Sequence, residues 1–318
     1  MSGTTRVTRL APSPTGGLHL GNARTFLINW VLARQNGWQI AFRIDDLDSP
    51  RVKAGADQAA IDDLKWLGLD WDTEVDYQSR RLAEYEASLV TLAAEGKIYP
   101  CHCTRSQIAA RAASAPNEGD HELRYNANCR PALPRAFDFN ELKSTGVAWR
   151  LRVPDDPVCF NDHLLGPQQV SVAAEVGDFL VANKQGVASY QLAVNLDDAA
   201  ANVTDIVRGD DLLTSTARQI LIRRALGMPE EMNYWHLPLV VGEDGMRLAK
   251  RHGSLWISEL RQQGVRPERI IGLIAQWSGY GGLQAALSLN EFLSAFDIAS
   301  LPRTRIKFTV DTIAKLMA

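Results

Sequence analysis

A chain of 318 residues with 46% hydrophobic and 22% charged content has material for one large domain or two smaller ones around a sizeable core. Its formal charge of −3 excludes a polybasic coat but permits a local basic face for nucleic acid. No apolar run reaches the roughly 18 residues of a membrane-spanning helix, and the early first strand leaves no signal-peptide pattern, so the cytoplasm is the expected compartment. In that compartment Cys101, Cys103, Cys129 and Cys159 raise the question of metal binding rather than of disulfides.

In chain order, residues 5–10 read as a buried first strand. The stretch from Arg9 to Asn22, RLAPSPTGGLHLGN, cannot be an ordinary element. Pro12 and Pro14 hold the chain extended, and Gly16, Gly17 and Gly21 permit close backbone approach to a ligand or helix. His19 stands where the next helix opens, a position that attracts phosphate. Strand, glycine-rich turn and helix together suggest a nucleotide site.

Residues 22–36 predict a helix whose apolar face is Ala23, Phe26, Leu27, Trp30, Val31 and Ala33, ended by Gly37. Residues 38–44 predict a second strand, 45–51 a polar loop, and 55–67 and 85–95 two more helices. This alternation implies a parallel sheet with crossover helices. From 99 to 135 the pattern breaks down and reads as an insertion, extended by strand-like 147–153 and 170–172. Alternation returns over 179–194. Residues 212–225 predict a helix bearing Arg218, Arg223 and Arg224, 235–241 a strand, and 256 onward mainly helix. Cys159 reads as a lone buried thiol.

Two short motifs carry a family resemblance. HLGN at residues 19–22 resembles the HIGH signature of class I aminoacyl-tRNA synthetases, and RLAKR at 247–251 resembles their KMSKS loop. The surrounding RLAPSPTGGLHLGNAR and FRIDDLDSPR are similar to glutamyl-tRNA synthetases. The resemblance implies an α/β fold with a Rossmann-type catalytic domain. Its first half is expected over 1–98, a zinc-binding insertion over 99–178, the second half over 179–254 and a short helical C-terminal region over 255–318.

The implied chemistry is attack of an amino-acid carboxylate on the α-phosphate of ATP, driven by positioning and charge stabilisation. His19 and Lys250 are the implied catalytic pair, and His19, Gly21, Asn22 and Lys250 the implied ATP contacts, with Mg2+ held chiefly by the phosphates. RLAKR departs from the family pattern at Arg247 and Ala249, which leaves Lys250 as the carried-over cation. For a glutamate substrate the resemblance implies Arg9, Ser13, Asp45, Tyr190 and Arg208. Asp45 stands where glutamate is usual, and Val194 stands where the family has a substrate-contacting asparagine, a loss of about 1–3 kcal/mol if its partner stays unsatisfied.

Cys101 and Cys103 form a C-x-C pair, and Cys129 supplies a third thiolate for a four-ligand zinc site. The residues themselves leave the fourth position to Tyr125, His102, His121 or water. The short glutamyl-tRNA synthetase-like proteins that modify queuosine carry C-x-C…Y-x3-C, so the resemblance implies Tyr125 and one structural zinc per chain. The chain also ends soon after its second signature. With Val194 and the Y-x3-C spacing, this resembles the glutamyl-Q tRNA(Asp) synthetase family. That resemblance implies a monomer that activates L-glutamate without tRNA and transfers it to queuosine in the anticodon stem-loop of tRNA(Asp). The competing readings are a truncated glutamyl-tRNA synthetase charging tRNA(Glu) and a non-catalytic RNA-binding paralogue. Arg218, Arg223, Arg224, Arg251 and the basic residues of 303–307 could contact phosphates, with plain solvated charge the equal alternative for most of them.

Overall fold

Two parallel strands joined by one long helix form the first unit of the computed structural model, which describes residues 5–47, 51–104, 106–108, 124–245, 256–281, 286–309 and 316. Strand β1 (Val7–Leu10) lies parallel to β2 (Gln39–Ile44), with Arg9 opposite Ala41. Between them runs α1 (Leu20–Asn36), closed by Gly37 at φ 65 with its N–H on the Ala33 carbonyl. This left-handed cap is the conformation that glycine adopts without a Cβ penalty. The helix opens two residues earlier than the apolar pattern indicates, because His19 caps it. Helix α2 (Ala56–Trp66) then leads to β3 (Val75–Tyr77), the third parallel strand, and α3 (Leu82–Ala94) follows.

Strand β4 (Ile98–Cys101), β5 (Ala148–Leu151) and β8 (Leu180–Ala182) make an antiparallel sheet. Short α4 (Phe139–Lys143) precedes β5. The hairpin of β6 (Val158–Asp162) and β7 (Gly166–Val170) joins another sheet, through parallel pairing of β6 with β10. Residues 170–172 are thus not one strand: β7 ends at Val170 and α5 (Val172–Glu175) begins.

Helix α6 (Tyr190–Ala200), β9 (Asp205–Gly209), α7 (Leu213–Ala225) and β10 (Asn233–Leu237) restore the alternation, with β9 and β10 parallel. The expected strand over 235–241 is two. Pro238, which has no N–H to donate, interrupts it before β11 (Val240–Val241). Beyond 256 come α8 (Ile257–Gln262), α9 (Pro267–Trp277) and α10 (Leu289–Ala295). The helical expectation fails at β12 (Ile306–Lys307), which pairs parallel with β11.

Strand alternation sends side chains to two cores. Leu10, Ile40, Phe42 and Ile44 pack with α1, α2 and the C-terminal helices. Val7 and Ala41 pack with α3, β5, α6 and α7. Arg9 shares the Val7 face and Arg43 the Ala41 face, so β1 and β2 aim two cations toward α6. Strand β9 runs on the other side of β1, where Thr204 donates its N–H to the Val7 carbonyl at 2.8 Å. The chain therefore leaves β1 toward β2 on one side and returns beside it as β9 on the other. In open α/β sheets the crevice at the carboxyl ends of such strands is where ligands bind.

Candidate active site

The start of α1 is built around His19. Its backbone is extended (φ −98, ψ 163), and its Nδ1 accepts the N–H groups of Gly21 at 3.1 Å and Asn22 at 3.2 Å. Accepting two N–H groups requires a lone pair on Nδ1, so the neutral ring carries its proton on Nε2. The helix end thereby presents a side-chain N–H together with the positive end of its dipole. Gly21 has a reason beyond room for a nucleotide: a Cβ there would sit 3.0 Å from His19 Cε1 and 3.1 Å from Nδ1, displacing the capping ring. The preceding loop is tied to the end of β2, since Asp45 N–H donates to the Pro12 carbonyl at 3.0 Å.

Behind this helix end lies a buried charge cluster. Arg9 Nε is 3.3 Å from both oxygens of Asp198, and its Nη1 is 3.3 Å from the Val207 carbonyl. Arg43 donates to Asp45 at 2.6 Å and to Asp198 at 2.7 Å. Burial would raise the Asp198 pKa, but Arg9 and Arg43 outweigh it and hold Asp198 below the usual carboxylate range. Burial pushes Asp45 up, against the pull of Arg43. For Arg43, burial lowers the pKa, and Asp45, Asp198 and Asp197 more than offset it.

Arg208 is different. It is 5% exposed, and its three hydrogen bonds all go to neutral acceptors: His236 Nε2 at 3.0 Å, Gln219 Oε1 at 2.9 Å and Thr216 Oγ1 at 2.7 Å. Among the described residues no carboxylate forms an ion pair with it. Burial, reinforced by Arg9, lowers its pKa from the usual arginine value. It is a buried cation whose hydrogen-bond partners are all neutral.

These groups border one crevice with two lobes. The smaller, about 290 Å³, is lined by Arg9, Ser13, Asp45, Tyr190 and Arg208 together with His19, Gly21 and Asn22. All of the sequence-predicted glutamate and nucleotide residues that are described thus meet in one place. The larger lobe, about 1040 Å³, shares Ser13, His19, Asn22, Asp45 and Tyr190 and opens toward Arg51, Asn183 and Gln185. Tyr190 is 39% exposed at the junction, not a core aromatic.

Lys250 and the rest of RLAKR lie outside the described residues, as does His121. The segment's two flanks border the crevice: Val240 lines the smaller lobe and Trp256 the larger. Trp256 packs where Cβ atoms at Gly16 and Gly17 would lie 3.6 and 3.4 Å from its ring. Ile257 N–H donates to the Leu18 carbonyl at 2.7 Å. Trp256 and Ile257, five and six residues beyond the second signature, are therefore held against the loop that leads into the first.

Several expectations are corrected. Val194 is buried on α6 and lines neither lobe. Arg218 and Arg223 are 2% and 5% exposed, so they cannot reach phosphates. Arg224, Arg303 and Arg305 do lie at the surface, where Arg224 pairs with Glu230 at 2.8 Å, Arg303 donates to the Leu164 carbonyl and Arg305 pairs with Asp210. Cys159 is exposed on β6, not buried. Sequence reasoning missed Arg43, Asp198, His236 and Asp162. The available signal was a charge inside an apolar strand (Arg43) and a pair of acids in an apolar helix (Asp197, Asp198).

Away from the crevice, the thiols of Cys101, Cys103 and Cys129 lie within 4.8 Å of one another. Cys103 and Cys129 sulfurs are 3.5 Å apart, and the Tyr125 hydroxyl is 3.4 Å from Cys101 Sγ. A tetrahedral zinc with Zn–S of about 2.3 Å separates sulfurs by about 3.8 Å, and an oxygen ligand sits about 3.5 Å from each sulfur. The spacing of the three thiols and the Tyr125 hydroxyl fits that geometry, while His102 is exposed. Arg150 donates to Cys101 Sγ at 3.3 Å and stacks 3.7 Å over the Tyr125 ring, a cation beside the thiol cluster.

The fold and crevice suit a ligase, and sequence comparison shows the family: the chain belongs to the tRNA synthetases class I (E and Q), catalytic domain, whose model matches residues 6–314. Within that family it is 41% identical over 316 residues to a "Glutamyl-Q tRNA(Asp) synthetase" of Symbiobacterium thermophilum, covering 97% of each chain. It is 42% identical over 316 residues to the protein of that name in Nitratidesulfovibrio vulgaris, again covering 97% of each. Among solved structures it is similar to a glutamate tRNA ligase from Elizabethkingia meningosepticum in complex with its amino acid. The TM-score is 0.77 at 25% identity, covering 97% of this chain and 68% of that one. Among the described residues no helix is long and apolar enough to cross a membrane.

Proposed function

We propose that this enzyme activates L-glutamate with ATP and Mg2+, without tRNA, and transfers the glutamyl group to queuosine in the anticodon stem-loop of tRNA(Asp). The observation that carries the glutamate assignment is Arg208, a buried guanidinium held only by neutral acceptors in a lobe the size of a small molecule. A side-chain carboxylate there completes an ion pair that the protein leaves open. Asp45 faces the same lobe and takes the ammonium, while Asp198 stays behind, holding Arg9 and Arg43 in place.

In the first step the α-carboxylate of glutamate attacks the α-phosphate and pyrophosphate leaves. The Nε2–H of His19 and the N-terminus of α1 stabilise charge on the phosphate oxygens as it develops. Lys250, in the segment whose flanks border the crevice, neutralises the leaving pyrophosphate. In the second step a hydroxyl of the queuosine cis-diol attacks the adenylate carbonyl, AMP leaves, and the hydroxyl proton is lost. The larger lobe, about 1040 Å³, has room for a base splayed from a loop, the usual mode of specific RNA recognition. One zinc held by Cys101, Cys103, Cys129 and Tyr125 staples the segment between β4 and β5.

The test is transfer of labelled glutamate to queuosine-containing tRNA(Asp), queuosine-free tRNA(Asp) and tRNA(Glu). Label on the first alone is expected. Equal labelling of both tRNA(Asp) forms overturns the acceptor assignment, and label on tRNA(Glu) alone identifies a 3'-end charging enzyme instead.

A further inference from the structure

The acceptor that Arg208 uses on its Nε side belongs to a row of three polar residues running across adjacent strands. Strand β10 lies between β6 and β9, and in its register with β9 His236 stands directly opposite Arg208. Asp162 closes β6 on the other side. His236 and Asp162 are 0% and 1% exposed, so neither contacts solvent or forms part of the crevice wall.

The hydrogen bonds along this row have one consistent direction. Asp162 Oδ1 accepts the N–H groups of Leu164 at 2.9 Å and Leu165 at 2.8 Å. Asp162 Oδ2 accepts the His236 backbone N–H at 3.0 Å and lies 2.7 Å from His236 Nδ1. An ionised carboxylate only accepts, so Nδ1 carries the proton and Nε2 the lone pair. At the far end Arg208 Nε, which can only donate, points at that lone pair. Both ends of the row impose the same tautomer. Burial lowers the His236 pKa to about 4, which keeps the ring neutral against the pull of Asp162.

We propose that Asp162 and His236 are positioning residues for substrate: they hold Arg208 through a neutral acceptor, fixing the plane of its guanidinium while leaving its charge for the substrate's side-chain carboxylate. The choice of histidine matters. A carboxylate at position 236 would make the same hydrogen bond but neutralise Arg208 and compete with the ligand. Of the five guanidinium N–H groups three are used, on His236, Gln219 and Thr216, so one on each terminal nitrogen remains for a two-pronged contact. Asp162 acts at one remove, by forbidding the other imidazole tautomer. Amide replacement of such an aspartate leaves the geometry but favours the wrong tautomer, which here would turn Nε2–H toward the Thr216 hydroxyl, 3.1 Å away, and take the lone pair from Arg208 Nε–H.

This inference rests on the assignment of glutamate to Arg208, and the experiment separates the two. ATP–pyrophosphate exchange is measured at varied glutamate and varied ATP for Arg208→Met, His236→Phe, His236→Gln, Asp162→Asn and the His236→Phe/Asp162→Asn pair. Thermal unfolding serves as the folding control. Arg208→Met is expected to raise the glutamate KM at least about 100-fold. His236→Phe and Asp162→Asn are each expected to raise it about 10-fold or more, with kcat and the ATP KM within about threefold, the signature of lost ground-state binding. The double variant should be no worse than His236→Phe, because Asp162 acts through the ring. His236→Gln, whose amide oxygen can replace the Nε2 lone pair, should recover part of the loss, and it carries the test if Asp162→Asn does not fold. An unchanged glutamate KM in Arg208→Met overturns the glutamate assignment and this inference with it. A large effect in Arg208→Met beside an unchanged glutamate KM in His236→Phe overturns the inference alone. So does a parallel loss in kcat and ATP KM, or full additivity in the double variant.

Discussion

His19 has two duties that a pair of substitutions separates. Its Nδ1 caps α1 by accepting from Gly21 and Asn22, and its Nε2–H is the group assigned to phosphate. Alanine removes both. Asparagine places a carbonyl oxygen at the same distance from the backbone as Nδ1 and is a strong N-cap, but has no donor where Nε2 lies. The two capping bonds, at 3.1 and 3.2 Å, are at the long end of the normal range, so their loss in His19→Ala costs about 1 kcal/mol, or a fall in Tm of about 2 °C. His19→Asn should melt within about 1 °C of the parent. Loss of a donor aimed at developing negative charge costs about 10²–10³ in rate. Both variants should therefore lose ATP–pyrophosphate exchange to that extent at saturating glutamate and ATP, although only His19→Ala is destabilised. Exchange in His19→Asn within about threefold of the parent would refute the phosphate role, and an unchanged Tm in His19→Ala would refute the cap.

Gly21→Ala should improve helix propensity by up to about 1 kcal/mol yet lower exchange kcat about 10-fold or more, since its Cβ would press on the His19 ring at 3.0 Å; stopped exchange assays beside thermal melts test this. Cys101→Ser, or treatment with a strong chelator, should lower bound zinc from one per chain, read by metal analysis, and expose the backbone around β4 and β5 to hydrogen exchange. Asp63 on α2 is 2% exposed, and burial raises its pKa to about 6 despite a Leu18 N–H bond and the charge of Arg261. Because its folded-state pKa lies above the unfolded value, the folded state holds the extra proton, and stability falls as pH rises from about 4 to about 6. Asp63→Asn should remove that slope and gain up to about 3 kcal/mol at pH 7.5 in urea melts. A parallel pH profile in parent and variant would contradict the assignment.

Residues close in sequence explain why parts of the site were legible. The Pro/Gly run and His19 act within one turn of α1, and Gly37 ends the same helix in the left-handed conformation its position suggests. Arg9, Ser13, Asp45, Tyr190 and Arg208 were named through family resemblance, and the structure gathers them in one lobe. What escaped depends on pairing across the chain. Strands β3 and β8 have three residues each, too few for periodicity to register, and they exist because neighbouring strands supply their hydrogen bonds. The break at Pro238 matters because β12, far along the chain, takes β11 as its partner. Arg218 and Arg223 look like a basic face in sequence, but the turn of α7 points them inward.

Local order was the sequence's own contribution: where the first strands and helices lie, where α1 is capped, and which thiols are spaced for a metal. These follow from steric preferences and side-chain periodicity within a few residues. Tertiary structure decided charge pairing. Arg9 and Arg208 are equivalent as letters, but packing gives Asp198 to one and only neutral acceptors to the other. That difference is created by which elements lie beside β1 and β9: both arginines line the same lobe, one ion-paired within the protein and the other held by neutral groups.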